Sequence, residues 1–390
     1  MAAQSKQIML VVGEASGDIH GAHLVKALSG KDQTLRFFGV AGEQLKQTNF
    51  ETLFDVSKLA GMGLVELAGS LRNILTAYAA LRRALRERRP DLLVLIDFPE
   101  FNLRLAKLAK QLKVPVLYYI SPQVWAWRRG RIRQIAKWVD HIVVVFPFEV
   151  PLYQKQGVRV SFVGHPLLDI VRCRDSREAV LAQLALDAGK RTIAILPGSR
   201  QGEVSYHLPV LLDAAFRLSQ DAEVQFLLIR ASTVERRELE SMLERVPLNI
   251  PVVEDKRYDA VNACDLAWTA SGTATVEAAL LLKPMIIVYR LAWLTYALAR
   301  MLVRIKNVGM VNIVAGEKVV PELIQADFTA EGVIKETRNL LENRDLRDRT
   351  VKKLAKLREK LGTPGAAGRV ADIALSIIGE GSGTRIEEIS

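Results

Sequence analysis

The sequence predicts an α/β protein built from two doubly wound Rossmann-like domains that face a cleft. Short runs rich in leucine and β-branched residues alternate with segments of helical periodicity along most of the chain. The runs are apolar throughout, which is typical of parallel strands covered by helices on both faces. The alternation weakens once, near residues 165–190, and then resumes. This interruption indicates a boundary between two domains.

The predicted strands of the first half are separated by helix-period segments such as HGAHLVKALSG and LRNILTAYAALRRALRERR. In order, these strands are QIMLVV, LRFFGVAG, DLLVLIDF, VPVLYYI, HIVVVFPF and VRVSFVG. The second series is RTIAILPG, VQFLLIR, IPVVED, DLAWTAS and PMIIVYR. We therefore expect one domain at residues 1–168 and another at 169–345. Residues 346–378 have a helical pattern and could return to the first domain, whereas residues 379–390 are typical of a loose tail.

The composition agrees with a folded protein of two domains. The chain has 390 residues, and a domain commonly has about 150. Hydrophobic residues make up 49% and charged residues 25%, which leaves little sequence for long disordered segments. The two cysteines, Cys173 and Cys264, are too few for a disulfide framework and lack the paired spacing of a zinc site. We therefore expect a reducing, cytoplasmic environment.

The apolar segments do not indicate export or membrane insertion. The N-terminal stretch MAAQSKQIMLVVGEASGD leads directly into a strand and lacks the basic segment, apolar run and cleavage site of a signal peptide. The most apolar region, residues 276–305, contains Lys283, Pro284, Arg290 and Arg300. These residues leave no uninterrupted span of about 18 apolar residues. We expect a chain that does not cross a bilayer.

Two turns in the second half have the sequence of anion-binding helix starts. The apolar run ending at Leu196 is followed by Pro197 and Gly198, and then by Ser199 and Arg200 at a predicted helix start. The backbone N–H groups and the helix dipole favour an anion there, and Arg200 adds guanidinium donors. A plain connector with Ser199 as the N-cap fits the same residues, so this turn alone decides nothing.

The second turn favours the anion-binding interpretation. A strand again leads into Ser271, Gly272 and Thr273 at a helix start, and Glu277 lies one turn beyond Thr273 on the same helix face. A phosphate on this turn would leave Glu277 within reach of ribose hydroxyls. The alternative is that Glu277 is an ordinary solvated helix residue. The two turns together favour the binding of a nucleotide diphosphate.

The first half contains a third strand–turn–helix and a carboxylate at a strand end. The stretch VVGEASGDIHG suits a pocket for a second phosphate or a sugar, or a simple turn; its candidate residues are Gly13, Glu14, Ser16, Gly17 and Asp18. Asp97 follows the buried run LLVLI and could take a proton from a hydroxyl nucleophile. It could instead cap the helix at Pro99. Asp18 and Glu14 are its rivals as the base.

Basic clusters indicate an anionic partner, either lipid or nucleic acid. The net charge is +11, from 54 basic and 43 acidic residues. Arginines cluster at residues 82–89 and 128–133, where a solvated helix face is the alternative explanation. Trp125 and Trp127 lie beside the second cluster and could stack on a sugar, contact an acyl chain or belong to the core.

The chain has no G-x-G-x-x-G, no Walker A motif and no D-x-D pair, so nicotinamide, ATP and metal chemistry lose their main sequence support.

Ten short motifs occur in an order that is similar to one known family. They are GEASGD, GVAG, GMGLVE, IDFPEFN, SPQVWAWRRGR, FPFE, FVGHPLLD, LPGSRQGEV, SGTATVEAAL and PELIQ. Between about residue 8 and residue 325 they resemble the lipid-A-disaccharide synthase family. The resemblance implies an inverting, metal-independent glycosyltransferase of the GT-B architecture without a cofactor. It implies UDP-2,3-diacylglucosamine as donor and 2,3-diacylglucosamine 1-phosphate as acceptor, and a β-1,6-linked disaccharide and UDP as products.

The resemblance also assigns roles to residues of this sequence. It implies that Ser199, Arg200 and the Ser271–Thr273 turn hold the UDP diphosphate, that Glu277 contacts the ribose, and that Asn312 helps to seat the donor. It implies that Asp97 is the base for the acceptor 6-hydroxyl, and that Trp125 and the Gly13–Asp18 turn face the acceptor. Val311 replaces a proline that usually precedes the asparagine. This replacement puts the loop shape around Asn312 in question.

Acylated substrates would explain the basic and apolar surface segments. LVELAGSLRNILTAYAALRRALRERR suits a helix at an anionic membrane interface on the cytoplasmic side, although a buried helix has the same pattern. LAWLTYALARMLVRI could dock acyl chains or pack against a second copy in a homodimer. A UDP-sugar epimerase or another UDP-sugar transferase is the alternative function. A basic nucleic-acid-binding protein explains neither the phosphate turns nor Asp97, so we expect no nucleic-acid partner.

Overall fold

The computed structural model describes residues 5–58, 67–122, 124, 130–293, 296 and 307–387. The chain divides into two compact units. Unit 1 comprises residues 1–166 and 362–390, and unit 2 comprises residues 167–361. Each unit contains one parallel sheet with helices packed against it. The prediction of an α/β protein with two Rossmann-like domains is confirmed.

Unit 1 has a seven-stranded sheet in the order β3-β2-β1-β4-β5-β6-β7, and every neighbouring pair is parallel. The strands are β1 Gln7–Val12, β2 Arg36–Ala41, β3 Phe50–Asp55, β4 Leu92–Ile96, β5 Val116–Tyr119, β6 His141–Val144 and β7 Arg159–Phe162. The α-helices are α1 Ala15–Lys31, α2 Glu43–Lys46, α3 Leu67–Arg88, α4 Pro99–Gln111, α5 Arg131–Trp138, α6 Val150–Gln154 and α16 Ala366–Glu387. Short 3-10 helices span Val56–Lys58 and Pro147–Glu149. The order matches a doubly wound sheet with an added seventh strand.

Unit 2 has a six-stranded parallel sheet in the order β10-β9-β8-β11-β12-β13. The strands are β8 Arg191–Leu196, β9 Val224–Ile229, β10 Val252–Val253, β11 Leu266–Ala270, β12 Met285–Tyr289 and β13 Glu322–Ile324. The described α-helices are α7 Leu167–Ile170, α8 Arg177–Gln183, α9 Gln201–Ser219, α10 Arg236–Leu243, α11 Arg257–Ala263, α12 Thr273–Leu280, α13 Met310–Ala315, α14 Ala330–Glu342 and α15 Arg344–Lys360. A 3-10 helix spans Gln325–Asp327.

The central strands are apolar because both of their faces are covered. All five residues of β4 and all five of β11 are buried. The buried Trp268 indole of β11 donates a 2.9 Å hydrogen bond to Thr337 Oγ1. The sequence did not predict β3 and β13 as strands. Both are edge strands without a buried residue, so they lack the continuous apolar signal.

The two C-terminal helices belong to different units. Helix α15 is part of unit 2, whereas α16 is part of unit 1 and packs along α1. Val370, Ala371 and Ala374 are buried in α16, and Lys31 pairs with Asp372 at 2.7 Å. Helix α16 continues to Glu387, so the loose tail predicted from residue 379 is wrong as far as residue 387.

Among the described residues, no helix combines the length and apolar character needed to cross a membrane.

Candidate functional site

The two predicted phosphate turns of unit 2 lie side by side. Strands β8 and β11 are neighbours, with Leu196 paired to Thr269. Helices α9 and α12 therefore begin at the same sheet edge, beyond the carboxyl ends of these strands. Parallel neighbouring strands are about 4.8 Å apart, so the two helix starts are adjacent. The structure thus brings Ser199 and Arg200 together with the Ser271–Thr273 turn.

The first turn is held by Glu203, which was not among the predicted site residues. The Ser199 N–H donates to Glu203 Oε2 at 3.1 Å, and Thr233 Oγ1 donates to the Ser199 carbonyl at 2.5 Å. Gly198 has φ 141°, and a Cβ there would lie 2.7 Å from the Glu203 Cβ. A glutamate at the third helix position is a usual capping signal, which could have identified Glu203. The N-cap residue is Arg200 and not Ser199, and the Arg200 side chain is 60% exposed.

His207 connects the first turn to the end of β12. Its Nδ1 lies 2.8 Å from the Pro197 carbonyl, and its Nε2 accepts from the Arg290 N–H at 2.9 Å. Because the Arg290 amide can only donate, Nε2 is unprotonated, and Nδ1 carries the proton that is donated to Pro197. Burial lowers the pKa of His207, which agrees with a neutral ring. A single buried histidine on a helix has no distinctive sequence signal, so sequence reasoning missed it.

The second turn presents an open backbone. Gly272 has φ 148°, which favours glycine, and no atom lies within 4 Å of a Cβ placed there. Thr273 is exposed as the first residue of α12. The Ser271 hydroxyl instead donates to the Val308 carbonyl at 3.0 Å and holds a neighbouring loop. Gly272 and Thr273 therefore provide the open part of this turn.

Glu277 belongs to a buried cluster of polar side chains and is not a solvated helix residue. It is 9% exposed, and its Oε1 accepts from Arg257 Nη2 at 2.7 Å and from the Tyr258 hydroxyl at 3.1 Å. Burial raises the pKa of Glu277, although Arg257 opposes the shift. Both hydrogen bonds use Oε1, and neither uses Oε2. Arg257 and Tyr258 were not predicted, because they lie on α11 and meet Glu277 only in the folded unit.

Asn312 is fully buried and bonds within the protein, and its part in seating the donor stays a prediction. Its Nδ2 donates to the Val320 carbonyl and to Glu322 Oε1, at 2.9 and 2.8 Å. Its Oδ1 accepts from the N–H groups of Val319 and Val320. The amide therefore closes the segment between α13 and β13. Val311 is buried within α13 and leaves this network complete.

In unit 1 the Gly13 turn and Asp97 meet at one sheet edge. Strands β1 and β4 are neighbours, with Val12 paired to Ile96. A Cβ at Gly13 would lie 2.1 Å from the Phe98 Cβ, so glycine is required for the two segments to approach. Asp97 and Phe98 have φ values of 52° and 48°. Two successive left-handed residues without glycine are strained, and such strain clusters at functional sites.

Buried donors hold this strained backbone. The Asp97 carbonyl accepts from Asn102 Nδ2 at 2.7 Å and from the Tyr118 hydroxyl at 2.5 Å. Asn102 and Tyr118 are fully buried. Burial, and then the Asp97 charge, keep the pKa of Tyr118 well above its usual value, so its hydroxyl remains a donor. Phe98 occupies the N-cap position of α4.

Asp18 has a structural role at the start of α2, and its assignment to the acceptor side stays a prediction. Its buried carboxylate accepts from three backbone N–H groups at the start of α2: Gly42 at 2.7 Å, Gln44 at 2.7 Å and Leu45 at 3.2 Å. A carboxylate that satisfies three orphan helix donors is a cap.

The other residues of the Gly13–Asp18 turn differ in exposure. Glu14 and Ser16 are exposed, whereas Gly17 is buried. Trp125 lies outside the described residues, as does most of the segment 291–305. The described part of the chain contains no cluster of three or more His, Cys, Asp and Glu side chains that could hold a metal ion.

Solved structures of known proteins share the fold of this chain. A UDP-GlcNAc 2-epimerase from Neisseria meningitidis, solved bound to UDP-GlcNAc, has a TM-score of 0.61 at 12% identity and covers 96% of this chain and 100% of its own. The calicheamicin glycosyltransferase has a TM-score of 0.62 at 13% identity, with 97% and 99% covered. These two similarities concern the fold alone.

The sequence comparisons are more specific. A protein from Geobacter metallireducens named lipid-A-disaccharide synthase is 47% identical over 380 residues, covering 97% of this chain and 99% of its own. One of the same name from Myxococcus xanthus is 40% identical over 376 residues, with 96% and 98% covered. The family model described as lipid-A-disaccharide synthetase matches residues 8–373. The chain belongs to the lipid-A-disaccharide synthetase family.

Proposed function

We propose that this protein transfers the sugar of UDP-2,3-diacylglucosamine to 2,3-diacylglucosamine 1-phosphate. The products are the β-1,6-linked disaccharide 1-phosphate and UDP, and the reaction inverts the anomeric centre without a metal ion. Family membership supports the reaction. The main structural support for the donor site is the pairing of Leu196 with Thr269. This pairing makes two helix starts adjacent, and both favour an anion.

The donor diphosphate binds at the adjacent starts of α9 and α12. The Arg200 guanidinium provides the positive charge, and the open turn at Gly272 and Thr273 provides backbone donors. Glu277 Oε2 accepts from a ribose hydroxyl, because the two protein donors use Oε1. As the bond to UDP breaks, negative charge grows on the diphosphate, and Arg200 and the two helix dipoles stabilise it. Asn312 acts indirectly, by holding the loop beside this turn.

Asp97 acts as the general base for the acceptor. Its carboxylate takes the proton of the 6-hydroxyl while that oxygen forms a bond to the anomeric carbon and the bond from that carbon to UDP breaks. The left-handed backbone at Asp97 and Phe98 sets the direction in which the carboxylate leaves the strand end. Asn102 and Tyr118 are positioning residues, because they bond the Asp97 carbonyl.

The acylated substrates are taken from the cytoplasmic face of an anionic membrane through unit 1. A groove of about 920 Å³ between α4 and α5 is lined by apolar, aromatic and basic side chains that include Tyr78, Leu103, Arg104, Lys107 and Trp138. Glu100 and Arg131 also line it and form an ion pair. Leu75 on α3 is 57% exposed beside the arginines of that helix. Such a combination suits peripheral binding to anionic lipid.

Incubation of the purified protein with both substrates tests the reaction. We expect UDP and a disaccharide 1-phosphate by mass spectrometry, including in excess chelator. Arg200→Gln should lose turnover, whereas Arg237→Gln, which changes an exposed arginine on α10, should retain it. Conversion of the donor to an epimer without acceptor would instead support the epimerase alternative. Loss of turnover in chelator would contradict a metal-independent reaction.

A further inference from the structure

Unit 2 contains a basic cavity at the sheet edge opposite the two phosphate turns. The cavity measures about 520 Å³ and lies where β8, β11 and β12 begin. Its charged lining is Arg177, Lys190, Arg191, Asp265, Lys283 and Arg347. Strand β8 has six residues, so this amino edge lies about 20 Å from the helix starts of the proposed donor site. The cavity is therefore a separate feature of the unit.

The positive charge of the cavity exceeds its negative charge. Asp265 is shared, because its two oxygens each lie 3.1 Å from an arginine, Arg177 and Arg191. Lys190 pairs with Glu223 at 3.2 Å. Within the part of the chain that the structure describes, neither the Lys283 ammonium nor the Arg347 guanidinium makes a hydrogen bond or an ion pair. Two cations thus line the cavity without a hydrogen-bonded or ion-paired partner among the described residues.

The backbone places the Lys283 ammonium at the cavity. The Lys283 N–H donates to the Ala278 carbonyl at 3.0 Å, and Leu282 has φ 57° in the short connection from α12 to β12. Burial lowers the pKa of Lys283, while Cys264 and Asp265 oppose the shift. A partly desolvated ammonium without a partner is unfavourable. A bound anion would relieve that cost.

We propose that this cavity binds a phosphate group, with Lys283 and Arg347 as its counter-charges. A guanidinium and an ammonium together suit a phosphate, because the first forms paired hydrogen bonds and the second acts as a compact charge. The Asn262 side chain also lines the cavity and can add a neutral donor. The cavity volume lies within the range of small-molecule sites, and Pro284 and Val351 offer apolar contact to the organic part of the ligand. The phosphate belongs either to a soluble monoester or to a phospholipid headgroup.

Titration of the full-length protein with glycerol 3-phosphate tests the proposal. The measurement uses calorimetry at constant ionic strength with saturating UDP, so that the opposite sheet edge is occupied. We expect one binding site, and a dissociation constant that rises about tenfold in Lys283→Gln and in Arg347→Gln. Lys318→Gln changes an exposed lysine elsewhere in unit 2 and should leave the constant unchanged. Thermal melting checks that each variant is folded.

Vesicles distinguish the two sources of the phosphate. We compare retention on phosphatidylglycerol vesicles with retention on phosphatidylcholine vesicles, for the unaltered protein and for Lys283→Gln. A Lys283-dependent preference for phosphatidylglycerol supports a lipid headgroup, whereas Lys283-dependent binding of glycerol 3-phosphate alone supports a soluble monoester. The proposal is overturned if neither probe responds to Lys283→Gln, or if Lys318→Gln has the same effect. These outcomes do not depend on whether the protein turns over its proposed substrates.

Discussion

At the scale of single residues, Asp97 is a half-buried residue with a left-handed backbone held by two buried donors. A substitution to alanine would change both the charge and the backbone preference. Asparagine tolerates the left-handed region, so it removes the charge while preserving the turn. Asp97→Asn therefore tests the proposed base more cleanly than alanine does.

We predict that Asp97→Asn lowers the rate of UDP release by about 10²- to 10⁴-fold, the usual contribution of a general base. Its melting temperature should stay close to that of the unaltered protein. The control is Asp32→Asn, which changes an exposed carboxylate after α1 and should keep full turnover. Full turnover in Asp97→Asn would remove this residue from the mechanism.

Gly13 provides a second test at this scale, because its neighbour leaves no room for a side chain. The added Cβ of Gly13→Ala would lie 2.1 Å from the Phe98 Cβ and 2.5 Å from its Cγ. We predict that overpacking lowers the free energy of unfolding by about 1–3 kcal/mol and also displaces Asp97, so that turnover falls. Denaturant unfolding and UDP release measure the two effects.

The matched control for Gly13→Ala lies on the helix that follows. Gly30 is within α1, and no atom lies within 4 Å of its added Cβ. Gly30→Ala should therefore raise the free energy of unfolding, by up to about 1 kcal/mol from helix propensity. A Gly13→Ala protein as stable and active as the unaltered one would show that the close approach to Phe98 is not required.

At the scale of elements, the segment after β7 meets α1 through two histidines. His165 is 7% exposed, and its ring centroid lies 5.1 Å from that of Phe146. Burial, and then His20, lower the pKa of His165 to about 3, and burial, and then His23, lower the pKa of His20 to about 4. Both rings are therefore neutral in the folded unit at neutral pH.

This arrangement predicts the pH dependence of stability. The folded pKa values lie below the unfolded value of about 6.5, so the unfolded chain binds protons first as the pH falls. Stability is complete above about pH 6.5 and falls toward pH 4, by up to about 1.4 kcal/mol per pH unit for each histidine. Denaturant unfolding of the unaltered protein and of His165→Gln measures the slopes. Equal slopes would contradict the prediction.

At the scale of the whole molecule, unit 2 is continuous in sequence and unit 1 is not. Residues 167–361 form unit 2 without interruption, whereas unit 1 needs residues 362–390 in addition to 1–166. Helix α16 supplies buried side chains against α1, and Arg369 bonds the carbonyls of Val163, Thr363 and Pro364. The last helix therefore completes the first unit.

We predict that residues 167–361 fold alone, melt cooperatively and bind UDP, whereas residues 1–166 alone do not fold. Joining residue 166 to residue 362 by a short linker should restore folding of unit 1, because a Cβ on Gly362 would lie 3.0 Å from the Gly164 Cα. Circular dichroism and calorimetry measure both outcomes. A cooperative melt of residues 1–166 alone would show that α16 is dispensable.

Local signals account for much of what could be predicted from the sequence. The apolar strands, the positions of the turns at Gly198 and Gly272, and the strand end at Asp97 depend on residues that are close together in the chain. The adjacency of β8 to β11 and of β1 to β4 follows from the strand order of doubly wound sheets, which the predicted fold class implies. The family itself was predictable because ten motifs occur in order.

The tertiary structure decided the roles of individual side chains and the path of the C-terminus. Folding gave the Asp18 carboxylate the backbone donors at the start of α2, and it gave the Asn312 amide the partners that close a buried segment. Glu277 acquired Arg257 as its partner, and α16 joined unit 1. Each outcome depends on a contact between residues far apart in sequence. Periodicity and turn chemistry describe the local chain, whereas a polar side chain takes its role from the donors and acceptors that folding brings to it.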